Sequence, residues 1–161
     1  MTGRGRITPF VLSEEKAKAL WNTSLNGLSA SPDMPTKHSG AGSTILIIED
    51  EAPIRALLRE VLEQAGYHVV EASDGRVGLE LYRKAPTDLV ITDIAMPDLN
   101  GLHATQEIAR EFLGAKVIAM SGAPGKQYLC DVAKLLGAHR TLQKPFYREE
   151  LLEAVRQELL R

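Results

Sequence analysis

One cysteine, Cys130, is all that the 161 residues contain. That excludes an internal disulfide and a cysteine-based zinc cluster, and it fits a reducing compartment. No apolar run approaches the roughly 18 residues that span a bilayer. At the amino terminus, Arg4 and Arg6 precede only Ile7–Leu12, a run too short for a signal core and soon closed by Glu14-Glu15. Basic excess is missing too. Residues 1–43 carry five Lys/Arg against three Asp/Glu, and residues 44–161 carry fourteen against eighteen. Nucleic-acid binding needs a basic face, which this balance does not supply. No internal repeat is evident. What remains is a soluble, cytoplasmic protein of ordinary composition, with room for one sizeable core and something small beside it.

The small part comes first. Residues 22–43 are rich in Ser, Gly, Asn, Thr and Pro, a linker composition. Ahead of them, Ser13 suits a helix cap with Glu14 and Glu15 in the first turn. Ala17, Leu20, Trp21, Leu25 and Leu28 fall on one face, which predicts a short helix over 13–26. Such a helix is marginal alone in water, so it frays or docks through Trp21.

From Thr44 the pattern alternates strictly. Short apolar runs predict strands at 44–48, 68–71, 89–92, 116–120 and 140–143. Helical spacing predicts helices at about 53–65, 75–84, 101–113, 126–136 and 148–160, the first opened by Pro53 and stopped by Gly66. Five β–α units in succession imply an α/β domain over 44–161, with a parallel sheet covered by helices on both faces.

Chemistry-bearing residues gather at the ends of these strands, where an open parallel sheet collects its ligands. Glu49-Asp50-Glu51 follows the first strand. A phosphate loop there would be glycine-rich; an acidic run repels phosphate and attracts a hard cation such as Mg²⁺. It equally fits a solvated helix start. Asp93 ends the strand 89–92 and suits either a carboxylate nucleophile or a turn. Three nearby carboxylates repel one another and should titrate as a coupled group without a cation. Ser121, after Val117–Met120, offers a hydroxyl on a Gly-containing loop, and Lys144 offers a point charge for a phosphoryl group. Each signal is modest alone; four in this order, spread over 95 residues, make a set for phosphoryl transfer to Asp93.

With these residues in place, the chain resembles the receiver domain of two-component response regulators. The matching stretches are Ile45-Leu46-Ile47-Ile48-Glu49-Asp50-Glu51, the run from Asp88 to Gly101 around Thr92-Asp93-Ile94, Ala119-Met120-Ser121-Gly122 and Lys144-Pro145-Phe146. The resemblance implies a doubly wound, flavodoxin-like fold with strand order 2-1-3-4-5. It implies that Asp93 accepts a phosphoryl group from a sensor histidine kinase or a histidine phosphotransfer protein. Asp50, Asp93 and the Ala95 carbonyl would ligate Mg²⁺, Glu49 would act through coordinated water, and Ser121 and Lys144 would contact the phosphoryl oxygens. The Lys144-Pro145 bond would be cis. The last helix, the last strand and the helix before it would meet an unknown downstream protein.

Two departures stand out. Glu49 occupies a position where Asp is commoner. Thr141 stands three residues before Lys144, where the family carries its switch aromatic, so backbone shifts around 122–125 or a side chain such as Tyr128 must serve instead. Ala95 and Ala123, two beyond Asp93 and Ser121, are too small to position or block a hydrolytic water. The chain ends just after the fifth helix, which favours a stand-alone receiver without an output domain, a switch rather than a turnover enzyme. A phosphatase with an aspartyl nucleophile would place a second Asp where Ala95 stands. A degenerate receiver, acting as a phosphorylation-independent binding module, would have lost Asp93, Asp50 or Lys144. His68, His103 and His139 lack ligand spacing, and Cys130 reads as a packing residue.

Overall fold

The structure, a computed structural model, describes residues 42–97, 100–122 and 125–161, with Asn100 by its backbone alone. The expected helix over 13–26 lies outside the described residues, as does all of the linker but Gly42 and Ser43, and so does Ala123. Five strands alternate with five helices: β1 (Thr44–Ile48), α1 (Ala52–Gln64), β2 (His68–Ala72), α2 (Gly75–Lys84), β3 (Leu89–Asp93), α3 (Asn100–Glu111), β4 (Val117–Ser121), α4 (Tyr128–Leu135), β5 (Arg140–Gln143) and α5 (Arg148–Leu160). All pairings are parallel, and the sheet order is β2-β1-β3-β4-β5, as the resemblance implied. Among the described residues no helix is long and apolar enough to cross a membrane.

Strand periodicity of two splits the core into two layers. Leu46, Ile48, Val90, Val117 and Ala119 pack with Leu79, Tyr82, Ile108, Leu129 and Ala133 of α2, α3 and α4. Their alternates Ile45, Ile47, Leu89, Ile91, Ile118 and Met120 pack with Leu58, Leu62, Leu151 and Val155 of α1 and α5. Burial on both faces explains why β1, β3 and β4 read as unbroken apolar runs rather than as alternation.

Local chemistry fixes the ends. Pro53 lies in the first turn of α1, and Gly66, at φ 92°, follows its close. Asp74 caps α2 by accepting from the Val77 amide at 2.8 Å. Two helices are shorter than their spacing predicts. After α3 the Ala115 amide bonds back to the Phe112 carbonyl in a turn, which leaves Leu113 almost wholly exposed. Lys126 and Gln127 form the turn that leads into α4, whose first residue is Tyr128. Three strands end one residue later than expected, at Ala72, Asp93 and Ser121, so Asp93 and Ser121 are the last rungs of β3 and β4.

Candidate functional site

The parallel register alone brings the expected residues to one edge. Ile48 pairs with Thr92, Asp93 with Met120, and Ser121 with Gln143. The residues just beyond those rungs are Glu49, Asp50 and Lys144. Glu49 is fully buried, Asp93 and Ser121 are nearly so, and Asp50 is exposed. Carboxylate oxygens of Glu49, Asp50 and Asp93 all lie within 4.8 Å of one another.

Lys144 closes the cluster. Its Nζ donates to Glu49 Oε2 at 2.7 Å and to Asp93 Oδ2 at 2.9 Å. Its backbone amide donates to the Ser121 carbonyl at 2.8 Å, which anchors the root of the side chain at the end of β4. The Lys144-Pro145 bond is cis, as the resemblance implied. The other Asp93 oxygen, Oδ1, accepts the Ala95 amide at 2.8 Å. Glu49 Oε1 accepts the Glu51 amide at 3.2 Å. Burial pushes Glu49 up to about 7, with the Asp93 charge adding to the rise and the Lys144 ammonium opposing it. For Lys144 burial works downward, yet the charges of Asp93 and Glu49 outweigh it and hold the ammonium above its ordinary value. The repulsion expected among the carboxylates is thus met in part by an internal cation.

Two positioning residues escaped the sequence reading. Arg55, one turn into α1, donates from Nη1 to the Glu49 carbonyl at 2.8 Å, and its Nε lies 3.6 Å from Glu71 Oε1 on β2. Its signal in the sequence is only a basic residue one helical turn past an acidic loop. Gly101 lets the start of α3 meet β3: a Cβ there would fall 1.8 Å from the Asp93 carbonyl oxygen. Gly122 lies against the Lys144 stem, where a Cβ would fall 2.9 Å from Lys144 Cβ.

The remaining candidates stay apart from the cluster. Thr141 on β5 pairs with Ala119 of β4 and, with Pro145 and Phe146, lines an open groove of about 390 Å³ between β5 and α5. Tyr128 begins α4 and is 58% exposed. His68, His103 and His139 are exposed; His139 Nδ1 accepts the Val117 amide at 3.4 Å, far along the sheet from the acidic edge. Cys130 is partly buried on α4.

Chemically, oxygen donors alone, two of them buried and one open to water, fit a hard divalent cation that keeps part of its water shell, such as Mg²⁺. A carboxylate held between an amide and an ammonium is oriented for attack on an electrophile approaching from the exposed side, where Asp50 lies.

Comparison with known proteins agrees with this geometry. The model of the response regulator receiver domain matches residues 45–156. The chemotaxis protein CheY of Thermotoga maritima is 37% identical over 115 residues, covering 71% of this chain and 95% of that protein. Transcriptional regulatory protein PdtaR of Mycobacterium tuberculosis is 39% identical over 112 residues, 69% of this chain and 54% of that one. A solved receiver domain protein of Clostridium thermocellum superposes with a TM-score of 0.70 at 31% identity, covering 74% of this chain and 95% of that one. Response regulator TrrA of Thermotoga maritima, solved in complex with Mg²⁺ and BeF, gives 0.66 at 33% identity, with 72% of this chain and 98% of that one covered. On the motif-bearing strand ends, the sheet order and these likenesses, the chain belongs to the response regulator receiver domains of two-component systems.

Proposed function

We propose that the chain is a phosphoacceptor switch in which Asp93 takes a phosphoryl group from a phosphohistidine of a sensor kinase or phosphotransfer protein. The observation that carries this reading is the ammonium of Lys144 on Asp93 Oδ2 at 2.9 Å, inside a buried acidic cluster. An ammonium held on an oxygen nucleophile is placed to stabilise the negative oxygens that its phosphorylated product gains. Glu49, Asp50, Asp93 and the Ala95 carbonyl are the residues that would hold Mg²⁺, Glu49 through water. When bound, the cation supplies positive charge to the phosphoryl oxygens in flight.

The chain's own groups do the rest. The Ala95 amide fixes Asp93 through Oδ1 and leaves lone pairs on the carboxylate for attack. The new P–O bond forms as the P–N bond of the donor breaks, and the electron pair stays on the imidazole nitrogen. Lys144 follows the charge from the carboxylate to the phosphoryl oxygens, and Ser121, at the last rung of β4, donates its hydroxyl to another. The phosphoryl group carries about −1.5 to −2 of charge in place of the single carboxylate charge, and moves it outward to where Lys144 and Ser121 meet β4 and β5. Output passes by protein contact over α4, β5 and α5, with Thr141 in place of a large ring. In this reading the protein turns over no external substrate.

The test is the mass of the intact chain after incubation with Mg²⁺ and a small acyl phosphate. One added phosphoryl group, absent in Asp93→Asn, is expected. No gain from any acyl phosphate or kinase sinks the reading and leaves a phosphorylation-independent binding module.

A further inference from the structure

Gly122 follows β4 directly, and the chemistry proposed above makes no use of it. A Cβ placed on it would lie 2.9 Å from Lys144 Cβ, 3.1 Å from Cδ and 3.5 Å from Cγ. The lysine stem therefore runs through the space that any side chain at 122 would fill. The stem has little freedom to step back at its root. Its amide is held on the Ser121 carbonyl at 2.8 Å, in continuation of the β4–β5 ladder. An added methyl group must displace the stem from the course on which its ammonium reaches two carboxylates.

We propose that Gly122 is a positioning residue: the volume it leaves empty guides Lys144 onto Glu49 and Asp93, and so sets how strongly an internal ammonium competes with a divalent cation for those carboxylates. This rests on reading Glu49, Asp50 and Asp93 as the cation cluster. Competition follows from shared atoms. Glu49 Oε2 and Asp93 Oδ2, both engaged by Nζ, belong to the groups that would face the cation. With the ammonium drawn aside, the carboxylates lose counter-charge and hold a cation more tightly. Phosphoryl acceptance slows at the same time, because the product oxygens lose their point-charge partner. A fold that merely loosened would weaken both.

The full chain is compared as wild type, Gly122→Ala, Lys144→Ala and the double variant. Calorimetry reads Mg²⁺ affinity, acetyl phosphate at saturating Mg²⁺ reads the acceptance rate, and nitrogen NMR reads the lysine ammonium without metal. G122A is expected to tighten Mg²⁺ about threefold and slow acceptance about tenfold. It should also cost Lys144 its slowly exchanging ammonium signal. K144A should behave likewise towards Mg²⁺ and rate, and adding G122A to it should change Mg²⁺ affinity no further. Weaker Mg²⁺ binding in G122A, or an equal tightening on top of K144A, overturns the proposal. Should G122A not fold, Gly122→Ala combined with Lys144→Gly, which is free of the Cβ, Cγ and Cδ contacts, should; its failure as well contradicts the proposal. Failure of the wild type to take a phosphoryl group or Mg²⁺ would fell the functional reading instead, and the metal-free ammonium signal would still decide the role of Gly122.

Discussion

Lys144 Nζ and Glu49 Oε2 meet at 2.7 Å across 95 residues of chain, and the glutamate end of that pair is fully buried. A buried carboxylate loses its hydration, so its ammonium partner decides what the site costs the fold. Lys144→Ala should lower stability in urea by about 2 kcal/mol near about pH 8. At about pH 5.5 the loss should shrink, because Glu49, pushed up to about 7, then takes a proton and buries no bare charge. An equal loss at both pH values contradicts this account.

The same glutamate gives the metal-free protein a pH profile of unusual sign. Its folded value of about 7 stands above the ordinary 4.5, chiefly through burial, so the native state holds a proton that the unfolded chain releases. Between those values stability should fall as pH rises, and level off above about 7. Glu49→Gln should flatten that slope in urea titrations. Mg²⁺ affinity should rise over the same window in the wild type, since cation and proton compete for the carboxylate.

Arg55 offers a test of the loop that aims Glu49. Its hydrogen bond to the Glu49 carbonyl is 2.8 Å long and partly buried. Arg55→Ala should weaken Mg²⁺ binding about fivefold, the equivalent of one hydrogen bond of about 1 kcal/mol, with helix content unchanged by circular dichroism. Unchanged Mg²⁺ affinity would show that the loop holds its shape without the arginine.

Gly101 tests the packing behind the nucleophile. With 1.8 Å between a Cβ and the Asp93 carbonyl oxygen, Gly101→Ala must push α3 away from β3. A destabilisation of about 2 kcal/mol or more is expected, read from the urea midpoint. A neutral outcome would mean that the start of α3 shifts freely, which the contact distance denies.

Much of this was legible in the chain before any fold was seen. The strands at 44–48 and 140–143 and the helices at 75–84 and 148–160 match their observed bounds, because their signals are local: apolar runs, glycine and acidic starts. Asp93, Asp50, Glu49 and Lys144 stood out because each follows a strand, and parallel strands share one edge. What the sequence could not carry is contact at a distance. The Lys144 ammonium on two carboxylates, the Arg55 hydrogen bond to a carbonyl and the Gly122 surface against a lysine stem all depend on side-chain reach across separate elements. The Asp74 cap of α2 was a local signal that went unread among the loop residues. Thr141 was recognised as a departure, and it lines a groove beside β5.

The central claim is that Asp93 is the acceptor. Intact-mass measurement after exposure to Mg²⁺ and acetyl phosphate, followed by mapping of the modified peptide, tests it most directly. The account predicts one phosphoryl group on Asp93, labile to alkali and to hydroxylamine, lost in Asp93→Asn and slowed in Lys144→Ala. A phosphoryl group on another residue, or an undiminished gain in Asp93→Asn, would contradict it.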